Sequence, residues 1–235
     1  MTNRTKIVLK SGKDQSVKRF HPWIFSGAIK KTYGPLVEGN VVDVYDNKDN
    51  FLGCGHYQIG SIAVRVLSFQ ETVIDRQFYF NRLQTALNIR KELLENMPET
   101  DVYRLVHGEG DQLPGLIIDI YNDTAVLQMH SVGMFLARDY IAEVLQELYG
   151  SALKHIYCKS AGTLPKKALE EEQKDFFMMG DKVSGVVKEY GVKYHINWLE
   201  GQKTGFFIDQ RENRRLLGNY AKNRVVANVF GYTGG

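Results

Sequence analysis

Residues 116–130 read LIIDIYNDTAVLQMH. Two β-rich runs, LIIDIY (116–121) and AVLQMH (125–130), flank Asn122-Asp123-Thr124, residues that favour a tight reversal, so this stretch predicts a hairpin. Downstream, Phe135, Ile141, Leu145 and Leu148 recur at helical spacing over about 134–149, and Gly150 supplies a stop. A strand near HIYCK (155–159) comes next. Hairpin, helix and strand in that order predict a small α+β domain.

Upstream, the period changes at Asp75. In DRQFYFNRLQTALNIRKELLENMP the apolar residues fall mostly at i+3/i+4 steps, Asp75 is the N-cap candidate and Pro98 follows the end. Before this helix lie short runs, KIVLK (6–10), VVDVYD (41–46), FLGCG (51–55) and IAVRVL (62–67), punctuated by Gly and Asx residues. Asn47, Asp49 and Asn50 mark a turn between two of them. Such spacing predicts a small β-barrel-like module. Downstream, 166–175 is rich in Lys and Glu, and VVKEYGVKYHINWL reads as a hairpin about Tyr190-Gly191. A helix is expected from about Gln210 to Asn223, with Asp209 as cap and Leu216, Leu217 and Tyr220 on its apolar face. VVANVF (225–230) is expected as a strand running into GYTGG. The predicted organisation is therefore 1–74, a β-barrel; 75–180, an α+β domain; and 181–235, the entrance to a further one. A glycine-rich turn after an apolar strand normally opens a helix, so the chain is expected to be part of something longer.

With 235 residues, 43% hydrophobic and 24% charged, the composition is that of a folded globular protein. Mean hydropathy is −0.30, and no apolar run reaches the ~18 residues of a membrane-spanning helix, so no membrane partner is expected. The first residues lack the apolar core of a secretory signal, and two cysteines, Cys54 and Cys158, make no disulfide framework; a cytoplasmic setting is expected. Formal charge is +4 over 1–74, −5 over 75–180 and +4 over 181–235. Basic blocks at both ends suit phosphate contacts better than a uniform excess would, although solvated surface explains them equally.

Three segments carry chemistry. GQKTGFFIDQRENRR (201–215) sets paired aromatics before a helix whose free N–H groups, with Gln and Arg, suit a carboxylate-bearing ligand; adjacent phenylalanines also suit a core. GQKT is not a phosphate-binding P-loop, because Gln202 stands where a glycine would precede the lysine. RFHPWIFSGAI (19–29) interleaves Arg19, His21, Trp23 and Phe25, either as stacking and phosphate-binding groups for RNA or as a clasp between modules. HGEGDQLPGLIIDIY (107–121) sets Glu109 and Asp111 in a Gly/Pro-rich connection, where carboxylates more often hold loop backbone than transfer protons. The cysteines are too far apart for a structural zinc, and no GxSxG element occurs.

Together these motifs resemble the bacterial large-subunit ribosomal RNA methyltransferase I family, class I S-adenosylmethionine-dependent enzymes that form 5-methylcytosine in 23S rRNA. RFHPWIFSGAI resembles the family's N-terminal PUA domain, VHGEGDQLPGLIIDIY the start of its central α+β domain, and NVFGYTGG the first cofactor loop of a Rossmann-like methyltransferase domain. The resemblance implies S-adenosylmethionine as cofactor and 23S rRNA as partner, with a homodimer as one admissible assembly. It implies that Thr204, Phe206, Phe207, Gln210 and Arg211 line the methionine end of the cofactor, with Asn228, Phe230, Tyr232, Thr233 and Gly234 along the loop beneath it. Lys10, Lys18, Arg19 and Arg65 would contact RNA. Residues 158–168 (CKSAGTLPKKA) depart from the family's Arg-rich pattern, and Ala227-Asn228-Val229 and Gly231 depart from its loop. The family's nucleophilic cysteine is expected beyond Gly235, so neither Cys54 nor Cys158 takes that role and residues 1–235 are expected to bind RNA without methylating it. A non-catalytic, ribosome-associated RNA-binding adaptor is the alternative.

Overall fold

The computed structural model describes residues 4–165 and 174–229. Residues 6–68 build a six-stranded sheet from β1 (Lys6–Leu9), β2 (Trp23–Phe25), β3 (Ile29–Tyr33), β4 (Val41–Tyr45), β5 (Phe51–Tyr57) and β6 (Ile62–Ser68), with a short helix α1 (Gln15–Lys18) after β1. The order is β2-β6-β5-β4-β1-β3, antiparallel except for β1 against β4. Bulges at Val8/Leu9, Ile24/Phe25, Val44/Tyr45 and Cys54/Gly55 bend it around a core of Ile7, Leu9, Ile24, Val44, Val64 and Val66. At the last bulge the strands come so close that a Cβ on Gly55 would lie 2.0 Å from the carbonyl oxygen of Arg65. The β4–β5 turn is organised by Asp46, which accepts from the Asn50 side-chain amide and from the backbone N–H groups of Asn50 and Lys48, all at 2.9 Å, and these bonds, the side-chain one foremost, hold its carboxyl far below the usual range.

Asp75 caps α2 (Arg76–Leu94) as predicted, accepting from the Phe78 N–H at 3.0 Å. A five-stranded sheet follows: β7 (Val102–His107), β8 (Leu116–Tyr121), β9 (Thr124–Met129), β10 (His155–Cys158) and β11 (Phe176–Met179), ordered β11-β10-β9-β8-β7. Tyr121 faces Thr124 across β8–β9, so the predicted hairpin closes on Asn122-Asp123, with Asn122 left-handed at φ 55°. Only β9–β10 is parallel, and its crossover carries α3 (Val132–Leu136) and α4 (Arg138–Tyr149). Leu83, Leu87, Ile118, Leu127, Ile141 and Leu145 form the core between α2, α4 and one sheet face.

Among the described residues, the opposite face is covered over one half only. There the hairpin β12 (Ser184–Glu189) and β13 (Val192–Asn197), with segment 198–208, packs Val187, Ile196, Trp198, Phe206 and Ile208 onto Val102, Tyr121, Val126 and Tyr157. Trp198 is wholly buried, stacked 5.8 Å from Tyr121, and donates its indole N–H to the Lys182 carbonyl at 2.6 Å.

Four expectations need correction. The single helix over 134–149 is two, because Ser131 caps a turn earlier, accepting from Met134 N–H at 3.4 Å, and the axis breaks at Ala137. The last helix, α5 (Arg211–Ala221), is preceded by a 3₁₀ turn over Ile208–Gln210, so Gln210 rather than Asp209 is the N-cap, and no side chain caps it. Its apolar residues Leu216, Leu217 and Tyr220 are exposed instead of packed. Residues 225–229 form no strand; Val225 and Val229 are exposed, and no described strand lies alongside to supply the hydrogen bonds a strand requires. Strands β2, β3, β7 and β11 were not anticipated. Residues 166–173 of the Lys/Glu-rich stretch and Phe230 lie outside the described residues.

Candidate functional site

The segment 197–214 is anchored from below by the central sheet. Asn197 starts it with an Asx turn, its Oδ1 accepting from Leu199 and Glu200 N–H, both at 3.0 Å. Lys159, from the end of β10, donates to the carbonyls of Trp198 and Gly201 at 2.6 and 2.5 Å. Gly205, at φ 125°, lies so close that a Cβ would be 3.0 Å from Trp198 Cα, which explains the glycine in TGFF.

Thr204 is completely buried: its hydroxyl donates to Asp119 Oδ2 at 2.6 Å and accepts from Tyr121 at 3.0 Å. Asp119 in turn receives a two-pronged contact from Arg104, at 2.8 and 2.9 Å. Phe206 lies in the core, 5.1 Å from the Tyr194 ring with the Arg214 guanidinium 4.2 Å from its own. Arg211 donates to Glu189 at 3.3 Å and to the Val102 carbonyl, and Arg214 donates to Glu189 at 2.7 and 2.8 Å. Glu189 is thus a buried carboxylate clasped by two arginines.

Of the residues assigned to a cofactor, Thr204, Phe206 and Arg211 therefore spend their groups on fixing the segment. Phe207 is half-buried with Lys203 Nζ 5.2 Å from its ring, and Gln210 is exposed at the start of α5, accepting from Asn213 at 2.7 Å. Asn228 is exposed on irregular chain; Phe230, Tyr232, Thr233 and Gly234 lie outside the described residues. Asp119 and Glu189 received no role from the sequence. Asp119 was signalled by a lone carboxylate inside LIIDIY, an otherwise apolar strand with only Tyr121 besides.

On the first sheet, Lys18 and Arg19 lie on and just after α1, exposed; Lys18 pairs with Asp14 and, at 3.3 Å, with Asp46. Lys10 donates to the Gly27 carbonyl at 2.9 Å, and Gly27 lines, with Lys13, Ser16 and Phe25, a groove of about 310 Å³ beside α1. Phe20 and Phe25 are exposed, so cations and aromatic faces share this surface. Arg65 stands apart, on β6 opposite Trp23, where burial pulls its guanidinium below its ordinary value.

The RFHPW and HGEGD motifs meet at the junction between the sheets, where the Trp23 indole N–H donates to Glu109 at 2.7 Å. Asp111 holds loop backbone, accepting from His107 N–H at 2.6 Å while Arg90 grips it at 2.6 and 2.7 Å. Across the same junction α3 packs on His56, and a Cβ on Gly133 would lie 2.1 Å from that ring. Both thiols are buried, and burial pushes Cys54 and Cys158 up, favouring the protonated thiol. Among the described residues no cluster of His, Cys, Asp and Glu suits a metal ion, and no helix is long and apolar enough to cross a membrane.

Residues 7–69 match the PUA-like domain family. Ribosomal RNA large subunit methyltransferase I of Pseudoalteromonas atlantica is 38% identical over 98% of this chain, and that of Tolumonas auensis 39% over 98%. The chain spans 58% of the length of each. In fold, it superposes with a TM-score of 0.75 on a Streptococcus mutans chain described as a SAM-dependent methyltransferase, at 22% identity over 92% of this chain and 54% of that one. A similar superposition, TM-score 0.75 at 22% identity, covers 91% of this chain and 53% of a methyltransferase chain complexed with SAH. Over the length they share, the chain is homologous to the ribosomal RNA large subunit methyltransferase I proteins and carries a PUA-like domain at residues 7–69.

Proposed function

We propose that this chain belongs to an S-adenosylmethionine-dependent enzyme that methylates cytosine C5 in 23S rRNA in the cytoplasm, and that residues 1–235 recognise the RNA and lead into the methyl-transfer site. The observation that carries this reading is 36–39% identity over nearly the whole chain to proteins named for rRNA methylation. S-adenosylmethionine supplies an electrophilic methyl group. Residues at the segment's surface suit its amino-acid end: the uncapped N-terminus of α5 offers backbone donors, and Gln210 and Phe207 offer an amide and a ring edge. Thr204, Phe206 and Arg211 act there as positioning residues, bound to Asp119, Tyr194 and Glu189 so that the segment keeps its shape without ligand. Asn228, Phe230, Tyr232, Thr233 and Gly234 complete the loop in this reading. Lys10, Lys18 and Arg19, beside exposed Phe20 and Phe25, are the RNA contacts on the first sheet, and Arg65 is a contact at the junction.

In this reading, with Cys54 and Cys158 buried, the thiolate that attacks the base comes from outside residues 1–235. The test is methyl transfer from tritiated S-adenosylmethionine to unmodified 23S rRNA by the protein of the complete reading frame. Label recovered as 5-methylcytosine supports the reading. Label on another nucleotide overturns the cytosine assignment, and RNA binding with no transfer favours the adaptor. Residues 1–235 alone are expected to bind RNA without transferring label.

A further inference from the structure

The half of the central sheet's outer face left uncovered by β12–β13 is a groove of about 540 Å³, in the ~300–1,000 Å³ range of ligand sites. Ile117 and Gln128, paired across β8–β9, belong to its lining, with Arg104, His130, Lys159 and Lys203 around them. A covered sheet face would carry apolar side chains throughout; this one sets Gln128 and Arg104 beside Ile117, with Lys159 just past β10 and Lys203 on the 201–211 segment at its edge. One carboxylate lines it, Asp175 at the rim, which accepts from Ala161 N–H at 2.8 Å; Asp119 beneath has no solvent exposure and is matched by Arg104 and Thr204.

Arg104 is fixed by its two-pronged grip on Asp119, which leaves a rigid guanidinium plane, the kind of surface on which an unpaired base stacks. Gln128 offers both a donor and an acceptor for a base edge. Lys203 stands on the 201–211 segment, one residue before Thr204. At the opposite end, Arg65 has a buried Nη1 with no hydrogen-bond partner among the described residues. Geometry links Arg65 to the groove through Gly115: a Cβ there would lie 3.6 Å from Arg65 Cδ, and the Gly115 carbonyl accepts from the His130 N–H at 2.8 Å.

We propose that this groove binds single-stranded RNA passing from the PUA-like sheet to the 201–211 segment, with phosphodiester oxygens on Lys159 and Lys203 and a base over Arg104 and Gln128. This rests on the RNA-methylation reading and extends it to the path of the substrate.

The test measures anisotropy of a fluorescein-labelled single-stranded rRNA segment, and of its duplex, with the full-length protein across a salt series. Lys203→Ala removes one phosphate contact and is expected to shallow the single-strand salt slope by about 0.7. Gln128→Ala is expected to weaken single-strand binding roughly tenfold while leaving the duplex unchanged. RNA carrying 4-thiouridine should crosslink to peptides from 117–130, a readout that needs no substitution. Wild-type protein that binds no RNA defeats the functional reading itself. Wild type that binds and methylates RNA, with both variants unchanged in affinity and slope and crosslinks confined to 7–69, overturns the groove while leaving that reading intact.

Discussion

Asp119 shows how one side chain can fix a site it never lines. It has no solvent exposure, and its two oxygens hold Arg104 and Thr204 together. Removing one partner of a buried ion pair strands the other, so Asp119→Ala should cost about 3–5 kcal/mol, read as a lowered midpoint in urea. His56 makes a second case. Its ring is buried against Gly133, Nδ1 has no hydrogen-bond partner among the described residues, and burial, with Arg65 nearby, pushes it down to about 4. Its unfolded value is near 6.5, so between those values the unfolded chain takes up a proton that the folded one refuses. The stabilisation is full above pH 6.5 and is lost as pH falls toward 4, by about 3 kcal/mol. Thermal melts from pH 7 to 4.5 should show this loss, and His56→Gln should flatten it; an equally steep variant would place the acid sensitivity elsewhere. Gly133→Ala should cost about 1–3 kcal/mol by forcing α3 off that ring, with His56→Ala recovering part of it.

Among elements, the hairpin β12–β13 is held to the sheet chiefly by Trp198, with Phe206 and Ile208 beside it. Trp198→Ala should cost about 3–5 kcal/mol and expose the 198–211 segment to limited proteolysis. The hairpins were legible because alternation and turn chemistry are local: Asn122-Asp123 and Tyr190-Gly191 close where the sequence places them. Strands β2 and β3 were not, because WIF and IKKTY lack clean alternation and are strands by virtue of their neighbours. The same logic runs in reverse at 225–229, where strand propensity without a pairing partner yields no strand. The internal partners of Thr204 and Phe206 were not legible for a related reason: residue type advertises what a group is able to bind, whereas only the fold shows Asp119 and Tyr121 on the Thr204 hydroxyl and Tyr194 beside the Phe206 ring.

Across the whole molecule, charge summed along the chain hid what the fold arranges. Segment 75–180 is net acidic, yet Glu143 and Glu147 point to Arg76 on the helical side, while Arg104 and Lys159 stand on the opposite sheet face. Particular contacts, Trp23 to Glu109 and Lys159 to Gly201 among them, join the PUA-like sheet and the 201–211 segment to the central sheet. In the proposed reading, RNA held by one is acted upon beside the other. Hydrogen–deuterium exchange of the full-length protein with and without S-adenosylhomocysteine examines this most directly. The expected result is slowed exchange concentrated in 204–211 and 228–234, with 7–69 unaffected; unchanged exchange through 204–211 under saturating ligand would contradict the account.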